Sequence, residues 1–253
     1  MRFPTARSGT HMVLHDVSLD VAEGEFLAIV GPSGCGKSTL LNVAAGLLAP
    51  STGTVRIFGE QLTGVCRHAA YLFQQDALLP WRTVLANVAL GLALRGTPRA
   101  VAHRMARGWI ERVGLQGFED RYPHQLSGGM RKRAAIAQSW IVEPRLLLMD
   151  EPFSALDVHT RQAMENELLG LWQESRKTVL FITHDLEEAI ALADEVVVMT
   201  AGPGARIKGR YRVDLARPRD VAEIRLDPGF AELYRRIWDD LRDEVKRAAA
   251  QAP

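Results

Sequence analysis

The segment EFLAIVGPSGCGKSTLLNVAAG, residues 25–46, constrains this chain more than any other. It runs from an apolar stretch of strand length, through a glycine-rich turn, straight into a helical pattern. An apolar run without polar alternation needs cover on both faces, which points to a parallel sheet flanked by helices. The same rhythm returns in AAYLFQQ (69–75), RLLLMD (145–150), TVLFIT (178–183) and EVVVMT (195–200). An α/β fold is expected, and 253 residues with 47% hydrophobic side chains suffice for one domain with a sizeable core.

Within the opening segment, Gly31, Gly36, Lys37 and Ser38 keep the spacing G-x-x-x-x-G-K-[ST] between a strand and a helix. Such a loop, here Gly31, Pro32, Ser33, Gly34, Cys35 and Gly36, turns backbone N–H groups inward around phosphate oxygens. Lys37 can then reach the β- and γ-phosphates, the Ser38 hydroxyl can ligate Mg²⁺, and Thr39 continues the helix start that favours an anion. LLLMDEPF supplies the acidic partners. Asp150 ends a buried strand, where it can hold Mg²⁺ through water, and Glu151 follows where a carboxylate can orient or deprotonate an attacking water. A DE pair alone reads as a solvated loop, and the phosphate loop changes that. The expected fold is a phosphate-loop nucleoside-triphosphatase core that takes a nucleoside triphosphate and Mg²⁺.

A second stretch, HQLSGGMRKR (124–133), also looks built for phosphate, with a serine, two glycines and three basic residues. Its glycines open a helix whose N–H groups and dipole favour an anion. One chain therefore carries two phosphate-binding elements.

Other regions break the α/β rhythm. VLHDVSLDVAEGE and GTVRIFGEQL alternate apolar and polar residues between glycines, which predicts a small antiparallel layer near the N-terminus. From about residue 78 to 144 the pattern turns helical and reads as an inserted helical subdomain. Near the end, Asp227 and Pro228 predict a helix start, and Phe230, Leu233, Ile237, Leu241 and Val245 form one apolar stripe of a helix over about 228–249.

Lysine plus arginine number 31 against 30 acidic residues, a formal charge of +1 that gives no overall bias toward nucleic acid or an anionic membrane. Two cysteines, one inside the phosphate loop, fit a reducing compartment. No signal-peptide pattern and no run of about eighteen apolar residues occurs, so the chain is expected to be neither secreted nor membrane-spanning on its own.

In order, GPSGCGKST, Gln74 in YLFQQD, LSGGM, LLLMDEP, SALD and ITHD resemble the Walker A loop, Q-loop, signature, Walker B, D-loop and H-loop of an ATP-binding-cassette (ABC) transporter ATPase. The likeness covers nearly the whole chain. DALLPWRTVLANVALGL, YPHQLSGGMRKR and GPGARI followed by VDLARPRD are similar to ATPase subunits of nitrate, sulfonate and taurine type importers.

This resemblance implies why two phosphate elements are needed. In the family two ATPase subunits pair head to tail, so Ser127, Gly128 and Gly129 would bind the γ-phosphate of the partner's nucleotide. It further implies that Gln74 senses the γ-phosphate and Mg²⁺ while linking to the helical subdomain. Asp157 would join the two sites, and His184 would hold the γ-phosphate and the attacking water. Read alone, His184 would be a structural histidine after a strand. The implied partners are a second ATPase subunit paired head to tail, either another copy of this chain or a related one, integral-membrane permease subunits and, indirectly, a substrate-binding protein that selects the cargo. The implied place is the cytoplasmic face of the membrane.

Two departures stand out. Met130 occupies a position where glutamine is commoner in the broad family, with the serine and glycines intact. The strand that usually opens the family is expected to be absent upstream. Phe3 is then the best candidate to stack on adenine, weakly, with ATP binding expected to tighten if residues were added before it. Trp81 alone reads as a packed tryptophan, while the resemblance sets it beside the groove for a permease helix. Cys35 reads as a small loop residue without a catalytic role, and Cys66 as core or loop. Two other classes share the phosphate loop but differ elsewhere. A non-transport ABC-type ATPase of translation or DNA repair would carry two cassettes, a coiled coil or zinc-type cysteine pairs. A phosphate-loop kinase has no use for LSGGM.

Overall fold

The computed structural model describes residues 1–4 and 10–251. The elements in chain order are β1 (Arg2–Pro4), β2 (Thr10–Met12), β3 (Phe26–Val30), α1 (Lys37–Ala44), β4 (Arg56–Ile57), β5 (Glu60–Gln61) and β6 (Ala69–Leu72). Four helices follow, α2 (Val84–Val88), α3 (Leu90–Leu94), α4 (Arg99–Arg112) and α5 (Gly128–Trp140). The chain then alternates through β7 (Leu146–Asp150), α6 (Val158–Ser175), β8 (Thr178–Ile182), α7 (Leu186–Leu192), β9 (Glu195–Met199), β10 (Ile207–Arg212) and α8 (Pro228–Gln251).

Six strands form the central sheet in the order β10-β9-β3-β8-β7-β6, parallel throughout except that β10 runs antiparallel to β9. All five residues of β3 and of β8 are buried, as the uninterrupted apolar runs require. Side chains alternate between faces with period two. Phe26, Ala28 and Val30 enter one core layer with α2, α4, α5, α6 and α7, and Leu27 and Ile29 enter the other with Leu41 of α1. In the first layer the Phe26 ring meets Trp172 edge-on at 5.6 Å.

Several expectations need correction. An opening strand does form: β1 pairs antiparallel with β2, and the Arg2 N–H donates to Ser51 Oγ at 2.9 Å. The antiparallel layer is smaller than predicted. The alternation of 13–25 reflects burial, not pairing, since Leu14 makes one isolated bridge to Ala205, and only β4 and β5 pair within 53–62. The apolar stripe of α8 ends differently. Phe230, Leu233, Ile237 and Leu241 are buried, but Val245 is 42% exposed and Glu244 is 1% exposed in its place. At 3.6 residues per turn the stripe drifts, so the position three beyond Leu241 faces the core. There Glu244 accepts from the Ala201 N–H at 2.9 Å and pairs with Lys208 at 3.0 Å. Trp81, favoured as packed, is 71% exposed. Among the described residues, no helix is long and apolar enough to cross a membrane.

Candidate functional site

β3 leads on to β6 at one edge of the sheet while its neighbour β8 leads across it to β9 on the other side, so the connections diverge there, and ligands of open α/β sheets sit outside the carboxyl ends of strands at such a point. The loops leaving β3, β6, β7 and β8 all open at that edge. Each carries residues singled out by sequence.

Gly31 to Gly36 bridge β3 and α1, and the backbone demands glycine at two of these positions. Gly34 and Gly36 have φ of 77° and 99°, in the left-handed region. A Cβ on Gly36 would also lie 2.7 Å from Val13 Cγ1 and 2.8 Å from Leu14 Cδ2, so the loop packs onto the segment after β2. The buried Lys37 ammonium donates to the carbonyls of Gly31 at 2.8 Å and Pro32 at 3.1 Å, which places its charge across the loop. Cys35 is fully buried, and burial pushes its thiol up, so it remains a packed, uncharged side chain. Cys66 is buried as well.

The acidic side is assembled from three strands. Ser38 Oγ donates to Asp150 Oδ1 at 3.1 Å, and Tyr71 Oη donates to Asp150 Oδ2 at 3.4 Å. Glu151 has φ of 43°, a strained backbone for a glutamate, held because its N–H donates to the Ile182 carbonyl at 2.9 Å. That turn sets the Glu151 carboxylate 2.9 Å from His184 Nδ1. Gln74 Nε2 donates to Ser154 Oγ at 3.4 Å, and Ser154 Oγ donates to the Glu151 carbonyl at 3.0 Å. Lys37, Ser38, Gln74, Asp150, Glu151 and His184 thus gather at one sheet edge. Among the described residues no cluster of three or more His, Cys, Asp or Glu could cage a metal alone. The donors at hand, a hydroxyl, a carboxylate and an amide oxygen, are all hard oxygens. They fit Mg²⁺, which keeps several waters and binds through one or two carboxylates plus substrate phosphates.

The second phosphate element stands apart. Ser127 caps α5 by accepting from the Met130 N–H at 3.3 Å, and a Cβ on Gly129 would lie 2.8 Å from Thr160 Cγ2, so the helix start packs on the start of α6. Gly128 lies beside Leu156. Asp157 caps α6 through Thr160 N at 3.0 Å, and the hydrogen bonds from Thr160 hold its carboxyl below the usual range. None of these contacts reaches the phosphate loop of the same chain. The basic run after the glycines is committed elsewhere: Lys132 and Arg131 pair with Asp76 at 2.8 and 3.3 Å, and Arg133 pairs with Glu167 at 3.2 Å. Phosphate would therefore meet Ser127 and the glycine N–H groups, not the three cations. Phe3 lies half-buried on β1 opposite His11. Sequence reasoning missed Ser154 and Tyr71. Ser154 shows no signal of its own, whereas Tyr71 is the one hydroxyl on β6.

A phosphate loop, paired acids and a histidine at the switch point define a phosphate-loop nucleoside-triphosphatase. Residues 14–154, more than half of the chain, match the ABC transporter family. The chain is 49% identical over 235 residues to an uncharacterized ABC transporter ATP-binding protein of Methanocaldococcus jannaschii, MJ0412, covering 93% of this chain and 86% of the relative. It is 45% identical over 241 residues to a taurine import ATP-binding protein, TauB, of Pseudomonas aeruginosa, covering 94% and 91%. Among solved structures, the dimeric ATP-binding cassette MJ0796 in a post-hydrolysis state, bound to ADP and Pi, aligns with a TM-score of 0.73 at 29% identity, covering 85% of this chain and 96% of that one. The chain belongs to the ABC transporter family and is an ATPase of that family.

Proposed function

We propose that this chain is the ATP-hydrolysing subunit of an importer for a small anionic or zwitterionic solute of the taurine, sulfonate or nitrate type. It works as a head-to-tail pair on the cytoplasmic face of the membrane, against a separate permease. The observation that carries the reading is the split of the site. Six residues converge at the carboxyl edge of the sheet, while Ser127, exposed at the start of α5, accepts from the Met130 N–H and has no hydrogen bond to the phosphate loop of its own chain. The taurine-type relative supports the cargo class.

In this mechanism Lys37 and the loop N–H groups hold the β- and γ-phosphates, with Ser127 and Gly129 of one subunit capping the γ-phosphate bound by the other. Ser38 and Asp150, with Gln74 close by, would hold Mg²⁺, which would supply charge neutralisation at the phosphates. Glu151, fixed by its strained turn, orients the attacking water and takes its proton, and His184 holds the γ-phosphate end of the site. Asp157, at the start of α6 beside Gly129, joins the two half-sites. Phe3 supplies a face for adenine, because β2 leads directly to Val13 and Leu14 against Gly36. Residues 78–144 form the helical subdomain that meets the permease. Exposed Phe73 and Trp81, on either side of Gln74 and the segment after it, suit that contact.

Gentle solubilisation of membranes from the native host, purification through a C-terminal tag and mass spectrometry test the assignment. A polytopic membrane protein in near-equal amount, accompanied by a solute-binding protein, is expected. Recovery of ribosomes or DNA-repair proteins with no permease would overturn the transport reading.

A further inference from the structure

Asp150 has a different partner on each carboxylate oxygen. Ser38 faces Oδ1, and the Tyr71 phenol donates to Oδ2. The sheet makes this meeting possible. β6 and β7 run parallel with Tyr71 in register with Leu148, and residues two apart on a strand share a face, so Asp150 lies diagonally ahead of Tyr71 on the same side. The Tyr71 ring is held by stacking on Phe73, 4.2 Å between centroids. Gln74 follows at once and reaches Ser154.

A carboxylate on a strand end turns readily about its last torsion, which is broad for aspartate. One hydrogen bond from Ser38 leaves that rotation open. A second, from a ring fixed by stacking, closes it. We propose that Tyr71 is a positioning residue for the metal-holding carboxylate, keeping Asp150 Oδ2 engaged so that Oδ1 stays turned toward the Ser38 hydroxyl. The assignment rests on the reading of Asp150 as the residue that holds Mg²⁺, and it ties the strand entering the Gln74 loop to that metal position. It also explains why β6 carries a phenol among otherwise apolar residues.

The probe is Mn²⁺, bound in the presence of a non-hydrolysable ATP analogue and followed by electron paramagnetic resonance. Tyr71→Phe removes only the hydroxyl and keeps the ring stack. Outer partners of metal ligands commonly change affinity by about 10- to 100-fold, and this bond is long, so about a three- to tenfold weaker Mn²⁺ affinity is expected. Binding of the analogue in excess chelator should not change, because the hydroxyl bonds to Asp150 and not to the phosphate loop. Asp150→Asn should weaken Mn²⁺ further, and adding Tyr71→Phe to it should cost nothing more, as for two groups acting through one. Native Mn²⁺ affinity in Tyr71→Phe, or a full additional loss on top of Asp150→Asn, would overturn the proposal and leave the Asp150 reading intact. If Asp150→Asn itself left Mn²⁺ affinity unchanged, that reading would fall and the proposal with it.

Discussion

Replacing Glu165 by glutamine should make the protein more stable at alkaline pH and flatten its stability against pH. Glu165 sits on α6 with no exposed surface, and neither carboxylate oxygen has a hydrogen-bond partner among the described residues. Glu188 of α7, equally buried, adds to the problem. Burial pushes Glu165 from 4.5 to about 7, against partial relief from Arg225 and Arg161. Those cations are already engaged, Arg225 with Glu187 at 3.2 Å and Arg161 with Asp185 at 3.5 Å. Burial likewise drives Glu188 well above its usual value, with Glu165 and Asp185 adding like-charge repulsion. A carboxyl raised in the folded state contributes its stability in full below the unfolded value, and loses it as pH rises through the folded value. At about 1.4 kcal/mol per tenfold change in proton affinity, Glu165 loses about 3 kcal/mol once fully ionised. A little under half of this is gone by about pH 5.5, so about 2 kcal/mol should vanish between about pH 5.5 and 8.5. Glutamine has nearly the same shape, leaves no cavity and does not titrate. Urea unfolding followed by tryptophan fluorescence at several pH values measures both proteins. The native chain should lose about 2 kcal/mol more than Glu165→Gln across the window, at equal denaturant slopes. Two curves that run parallel within about 0.5 kcal/mol would refute the assignment.

Three further perturbations test other parts of the account. Glu151→Gln should cut ATP turnover by about a hundredfold or more, as loss of a general base does, while ATP binding persists; near-normal steady-state hydrolysis would sink the Glu151 role. Gly36→Ala forces a side chain into a φ of 99° and onto Val13 and Leu14. It should weaken binding of a fluorescent ATP analogue by about 5- to 150-fold, given a strain of about 1–3 kcal/mol. On α8, Glu244→Ala strands the Ala201 N–H and removes one of the partners of Lys208, and should cost about 1–3 kcal/mol in denaturant unfolding, whereas Val245→Ala should stay within about 0.5 kcal/mol.

The strands of the central sheet were legible because burial on both faces writes an unbroken apolar run, and Phe26–Val30 and Thr178–Ile182 are such runs. Where one face opens, the run outlasts the strand: AAYLFQQ ends as a strand at Leu72, and Phe73 is already exposed as the chain turns toward Gln74. Alternation misled in 13–25, because half-buried loop residues repeat like a half-buried strand without pairing like one. Phosphate-loop chemistry was readable because its donors are backbone groups at fixed spacing. The basic run after LSGGM was not, since whether a cation meets a phosphate or Asp76 depends on a strand end far away in sequence. Tyr71 was hidden for the same reason, its meaning arising only when β6 and β7 lie in register.

The central claim is that one chain holds two halves of different ATP sites. Light scattering on the Glu151→Gln chain, with and without MgATP, tests it most directly. The account predicts a mass of 28.0 kDa without nucleotide and twice that with MgATP. Adding Ser127→Arg should return the protein to a monomer while the fluorescent ATP analogue still binds. A nucleotide-bound chain that never pairs, or a pair that survives Ser127→Arg, would contradict it.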